Sequence, residues 1–210
     1  MRTETRRSKA FSLVEMVVVI SIMALLMGVL LPALNKARSS AKRIKCANNL
    51  KQISIAMRLY RHDHDGFYPA AEDPLSVSPA YWLWMGRGFR GFVEPYLGGR
   101  TRGSRDTVLY CPGDDKAATN YDYTSYAYSM SFYHSPEQID AMDDISDTYG
   151  SSSVPPKAQS LGNVARPSRK ILCGEWLSNH YPVDKDDGWW CRQGKRNFLF
   201  ADGHIEYLHS

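Results

Sequence analysis

The run from Phe11 to Leu31 constrains this chain more than any other feature: 21 residues with one charge, Glu15, and two serines, Ser12 and Ser21. A helix needs about 20 predominantly apolar residues to cross the hydrocarbon core of a bilayer, so the run predicts a membrane-inserted helix. Two competing explanations fit less well. The apolar core of a secretory signal is about 7–15 residues long and precedes a small-residue cleavage site, and this run is longer. A core helix of a soluble domain shows a polar face, which Met16 to Leu31 lacks. Glu15 stands out, because a carboxylate near the bilayer centre costs up to about 3 kcal/mol unless something pairs with it. Such a residue either snorkels to the interface or serves a cationic partner.

The stretch Lys9-Ala10-Phe11-Ser12-Leu13-Val14-Glu15 joins a basic leader, a small residue, an aromatic and a glutamate inside an apolar run. It resembles the processing site of type IV prepilins and type II secretion pseudopilins. The resemblance implies that a prepilin peptidase cuts between Ala10 and Phe11, that the new amino terminus on Phe11 is methylated, and that Glu15 becomes the fifth mature residue. Ala10 stands where the family usually has glycine, and Pro32 stands where it commonly carries a helix-kinking proline. A cytoplasmic leader is implied too, and with it a single-pass protein of the inner (cytoplasmic) membrane. Its globular domain is then extracytoplasmic and its filament lies in the periplasm or at the cell surface. In a bundle of identical helices, the Glu15 carboxylate and the amino terminus of a neighbour's Phe11 satisfy each other's charge. That gives Glu15 a role in assembly.

With 210 residues, 43% of them hydrophobic and 23% charged, the chain suits one helix and one globular domain. The net charge of +4 overstates its basicity. Removing Met1 to Ala10 takes away four of 26 basic and one of 22 acidic residues, leaving 22 against 21. That balance argues against a nucleic-acid-seeking surface. Lys36, Arg38, Lys42, Arg43 and Lys45 follow the apolar run as Arg2, Arg6 and Arg7 precede it, so the positive-inside rule does not set the orientation.

The expected organisation is a leader over 1–10, a transmembrane and assembly half-helix over 11–33, an amphipathic half-helix over 34–65 and a globular domain over 66–210. Leu34, Ala37, Ala41, Ile44, Leu50, Ile53, Met57 and Tyr60 recur near helical spacing and predict one apolar stripe. The stripe needs a partner surface. By resemblance to pilins, that partner is a small antiparallel β-sheet later in the chain, giving an α+β fold. The basic run from Lys36 to Lys45 is a solvated helix face or a contact with anionic lipid head groups. Asp65-Gly66 and Pro69 end the helix. His62-Asp63-His64-Asp65 fails the EF-hand pattern, since Pro74 stands where a glutamate is wanted, and reads as a polar helix end.

Prolines 74, 79 and 95 and several glycines make residues 70–107 irregular. Tyr81 to Met85 is a packed aromatic patch. Arg87 to Phe92 interleaves cations with aromatics, a pattern that stacks on nucleic-acid bases. Tyr126, Tyr128 and Met130 alternate with the small residues Ser125, Ala127 and Ser129 as in a half-buried strand, and Lys170 to Glu175 is a further strand. Between them the acidic, serine-rich stretch Ser135 to Ser160 reads as a surface loop. Asn197 to Ala201 and His204 to Leu208 flank Asp202-Gly203, a preferred two-residue hairpin turn.

Three segments, Cys46 to Ile53, Phe92 to Leu97 and Val108 to Pro112, resemble a large pseudopilin-like group. So does the C-terminal box, in which a histidine precedes Asp-Gly with nine residues between; that position is Arg192 here. Acid clustering, and the calcium that some major pseudopilins hold, imply a calcium site at Asp184, Asp186, Asp187 and Asp202. No other cofactor is expected. Cys46, Cys111, Cys173 and Cys191 permit one or two disulfides, with three full pairings open. No Cys-x-x-Cys spacing points to zinc or redox chemistry.

These readings converge on a non-enzymatic structural subunit of a type II secretion-like or type IV pilus-like filament. Its partners are copies of itself or other pilin-like subunits, the prepilin peptidase, an inner-membrane assembly platform and the bilayer. A DNA-uptake or adhesive pilus subunit is the alternative. A membrane-tethered extracytoplasmic enzyme or binding protein is the competing class, against which stands the lack of a nucleophile motif, a phosphate loop or metal spacing.

Overall fold

A computed structural model describes residues 12–70, 87–98, 104–117, 123–129, 132, 137, 157–181 and 194–209. Helix α1 (Leu13–Asp63) is 51 residues long. It continues through Pro32, which has no N–H to give to the preceding turn. It ends where Asp65-Gly66 predicts: Gly66 N–H donates to Arg61 O at 2.8 Å, with Asp65 at φ 50° and Gly66 at φ 82°, a left-handed closure of the last turn.

The chain divides into two compact units, Met1–Ser40 and Ala41–Ser210. In the first, every described residue is helical or caps the helix, and every one is exposed. The second unit contains the core. There α1 buries Cys46, Asn49, Leu50, Ile53, Ser54, Ala56, Met57 and Tyr60. The expected stripe is therefore right from Leu50 onward and wrong before it. Leu34, Ala37, Ala41 and Ile44 stay exposed, and burial begins at Cys46.

The surface that covers this helix face is a four-stranded antiparallel sheet in the order β1 (Tyr126–Tyr128), β2 (Ile171–Glu175), β3 (Lys195–Phe200), β4 (Ile205–His209). Tyr126, Tyr128, Leu172, Cys173 and Leu199 join Cys46, Leu50, Ile53 and Met57 in one apolar cluster. The β2–β3 register shifts between Ile171 and Cys173, an irregularity of the kind a bulge makes. A long N-terminal helix packed on a small antiparallel sheet is the pilin-like α+β architecture.

Two local expectations change. The β3–β4 reversal has three residues rather than two inside its closing pair, Phe200 with His204: Phe200 N–H donates to His204 O at 3.0 Å, and Gly203 N–H to Phe200 O at 2.9 Å. Gly203 sits at φ 93°, as in a turn followed by a left-handed bulge residue. Arg87 to Phe92 is part of helix α2 (Arg87–Val93), in which Phe89 and Val93 are fully buried and Phe92 packs against the core. Its aromatics hold the fold together and are not displayed for base stacking.

Candidate functional site

The N-terminal half of α1 is built to be satisfied without water. Ser12 Oγ accepts the Val14 N–H at 3.3 Å, and Glu15 Oε2 accepts the Ser12 N–H at 2.8 Å, the reciprocal arrangement of a capping box. Ser21 Oγ donates to Val17 O at 2.7 Å within the helix. Backbone and hydroxyl groups are thus paired internally, as a hydrocarbon environment demands. None of the apolar 18-residue window of α1 is buried in the protein. Glu15 therefore closes the start of its own helix, a role the S-x-x-E spacing from Ser12 to Glu15 carries. Ala10 and Phe11 lie outside the described residues.

Further along, the segments that resemble the pseudopilin-like group meet one another. Cys46 and Cys111 form a disulfide, and Asn49 Nδ2 donates to Tyr110 O at 2.9 Å. Lys51 Nζ donates to Gly203 O at 2.9 Å and Arg58 Nη2 to Asp202 O at 2.7 Å, so two side chains of α1 hold the carbonyls of the β3–β4 turn. Burial pushes the Tyr126 hydroxyl well above the usual phenol range, and it donates to Cys46 O at 3.3 Å. Within the basic run, the Arg43 guanidinium lies 4.8 Å from the Tyr207 ring centre, while Lys36, Arg38, Lys42 and Lys45 are exposed.

Asp202 is occupied within its turn. Its Oδ1 accepts the His204 N–H at 3.0 Å and contacts His204 Nδ1 at 2.5 Å. The backbone N–H of His204 is the main cause holding the Asp202 carboxyl below its ordinary range. Asp184, Asp186 and Asp187, the other calcium candidates, lie outside the described residues, as do Cys191, Arg192, Met130 and Tyr81 to Met85. Of Ser135 to Ser160, only Glu137 and residues 157–160 are described. At the C-terminal end of α1, Asp63 accepts the Tyr96 hydroxyl at 2.9 Å and His64 Nδ1 contacts Tyr60 O at 2.8 Å. These groups form a polar helix end tied to the neighbouring turn.

A buried polar cluster beside the disulfide escaped the sequence reading. Glu175, at the end of β2, accepts the Asn197 N–H at 3.0 Å and Asn197 Nδ2 at 2.8 Å. Its Oε1 lies 3.1 Å from His180 Nε2, and the same nitrogen is 3.2 Å from Cys111 Sγ. The side chains of His180 and Glu175 are 2% and 0% exposed, so their polar atoms rely on these partners in place of water. The available signal was a lone glutamate closing the apolar strand Ile171 to Gly174, with His180 five residues on. Cys173 is buried, and among the described residues it is the free cysteine.

A long helix whose first half is apolar and unburied, and whose second half is packed on a four-stranded antiparallel sheet, defines a pilin-like protein. Residues 5–31 match the model of the prokaryotic N-terminal methylation motif, the type IV pilin and pseudopilin signature. Residues 35–101 match a family described as a protein of unknown function (DUF1559), and the two together are typical of pseudopilin-like proteins. No curated protein and no solved structure matches the chain.

Proposed function

We propose that the chain is a non-enzymatic pseudopilin of a type II secretion-like filament, processed by prepilin peptidase between Ala10 and Phe11 and assembled through its N-terminal helix. The observation that carries the reading is the coincidence of the methylation motif over residues 5–31 with an apolar helical segment that buries none of itself in its own protein. Exposing Leu13, Leu25, Leu26, Val29, Leu30 and Leu31 to water costs about 25 cal/mol for each Å² of apolar surface. A bilayer removes that cost before assembly, and neighbouring helices remove it afterwards. The single-pass anchor then puts residues 41–210 outside the cytoplasm, where the Cys46–Cys111 disulfide is stable.

Intact-mass measurement of the protein purified from its native membrane tests this. Loss of Met1 to Ala10 with one added methyl on Phe11 is the expected result. A full-length chain overturns it in favour of a signal anchor, and a cut beyond Pro32 in favour of a secreted protein.

A further inference from the structure

Four ligand atoms of the types that bind zinc converge in the core, from three separate parts of the chain. Cys46 Sγ, Cys111 Sγ, Glu175 Oε1 and His180 Nε2 all lie within 4.8 Å of one another. A tetrahedral zinc site has bonds of about 2.3 Å to sulfur and 2.0–2.2 Å to nitrogen and oxygen, which sets its ligand atoms about 3.2–3.8 Å apart. Three of the distances here already fall near those edges: Cys111 Sγ to His180 Nε2 3.2 Å, His180 Nε2 to Glu175 Oε1 3.1 Å, and Cys111 Sγ to Glu175 Oε1 3.8 Å. The two sulfurs do not fit those edges, since they are bonded to each other.

We propose that this cluster is a redox-gated zinc site: when the Cys46–Cys111 bond is reduced, the two thiolates, His180 Nε2 and Glu175 Oε1 bind one Zn²⁺, and oxidation releases it. Two thiolates, one imidazole and one carboxylate select zinc over calcium or magnesium, which prefer all-oxygen shells. The bound cluster carries one net negative charge, and the Asn197 N–H and amide donors on the Glu175 carboxylate stabilise it and orient that ligand. Sequence spacing could not reveal the site, because only Glu175 and His180 are close in the chain, five residues apart, while the two cysteines are distant from them and from each other.

Release is a balanced exchange with an external disulfide, such as that of a thiol–disulfide oxidoreductase. The two zinc-bound thiolates give up two electrons and form the Cys46–Cys111 bond, the incoming disulfide takes those electrons and leaves as two thiolates, and Zn²⁺ departs. Reduction by a dithiol runs the same steps backwards once its two thiol protons have passed to solvent. The proposal does not depend on filament assembly, since every ligand belongs to residues 41–210.

The test uses the full-length chain in detergent, oxidised and phosphine-reduced, titrated with Zn²⁺ and with Co²⁺ as a spectroscopic substitute. The reduced protein is expected to bind one metal per chain with a thiolate-to-cobalt charge-transfer band, and the oxidised protein to show none. His180→Ala weakens binding by more than the roughly 10–100-fold that loss of an outer-shell partner costs, and Glu175→Gln shifts the visible cobalt bands. Uptake by the reduced chain that both variants leave unchanged overturns the proposal by placing the metal elsewhere, as on Cys173. A reduced chain that takes up no metal overturns it equally, as does one whose cooperative melting followed by circular dichroism is not restored by Zn²⁺.

Discussion

Lys51 Nζ donates to the carbonyl oxygen of Gly203 at 2.9 Å, joining the C-terminal half of α1 to the tip of the last hairpin. Arg58, two turns further on, does the same for Asp202. The turn is therefore both a chain reversal and the point where the sheet is fastened to the helix.

Gly203 is the residue this arrangement tolerates least in altered form. It sits at φ 93°, and an added Cβ would fall 2.4 Å from Arg58 Nη2 and 3.1 Å from Ser54 Oγ. Gly203→Ala is expected to destabilise the domain by about 1–3 kcal/mol through backbone strain and displacement of Arg58, read from the urea midpoint. Lys51→Met, which keeps the stem and loses the donor, costs about 1 kcal/mol. An unchanged midpoint in Gly203→Ala contradicts the turn geometry.

The Cys46–Cys111 bond spans a sequence separation of 65. Chain-entropy arithmetic for a loop of that size gives a stabilisation of about 4 kcal/mol. The double variant Cys46→Ala with Cys111→Ala, which leaves no lone thiol, should unfold at markedly lower urea in metal-free buffer. Equal midpoints would show that the cross-link does not constrain the unfolded chain.

Burial pushes the Cys173 thiol far above its ordinary range, and the thiolate is the reactive form. Iodoacetamide at pH 8 should leave Cys173 unmodified in the folded protein and label it in urea, as located by peptide mass. Rapid native labelling would mean that β2 opens locally.

Asp202 and Asp63 are both held below the ordinary carboxylate range, Asp202 chiefly by the His204 backbone N–H and Asp63 chiefly by the Tyr96 hydroxyl. A depressed folded-state pKa contributes stability that is present above the unfolded value of about 3.9 and is lost as pH falls through the folded one. Melting temperature should therefore gain nothing from these groups between pH 7 and 5 and fall below about pH 4. Asp202→Asn together with Asp63→Asn should flatten that acid limb; an acid limb as steep as that of the wild type assigns it to other groups.

Glu15→Leu removes the one charge of the apolar run. Membrane insertion and cleavage at Ala10–Phe11 should persist, while incorporation into filaments is lost, as seen by shearing cells or spheroplasts and blotting the released material. Normal incorporation would confine Glu15 to its hydrogen bond with Ser12.

Where sequence periodicity coincides with a covering surface, the fold was legible. Leu50, Ile53 and Met57 pack with the sheet as their spacing requires, Tyr60 is buried against Phe92 and Tyr96, and Asp202-Gly203 marks a real reversal. Leu34 to Ile44 keep the same period, but α1 is buried only from Cys46 onward; a repeat shows that a face exists, not what meets it. Phe89 and Phe92 could be assigned to core or surface only once α2 was seen to pack. Most of the Glu175 cluster was hidden because only Glu175 and His180 are neighbours in the chain; Asn197 reaches them through strand pairing and Cys111 through the fold, and neither has a local signature.

The buried face of α1 has a consequence for the order of events in the cell. Chains are made from the amino terminus at about 5–20 residues per second, so Leu50, Ile53 and Met57 emerge long before Ile171 to His209, the strands that cover most of them. Cys111 arrives first and can bond to Cys46 while the sheet does not yet exist. The cross-link is then an early clasp, holding the loop before β1 against a sticky helix during the interval when that helix is most prone to aggregate.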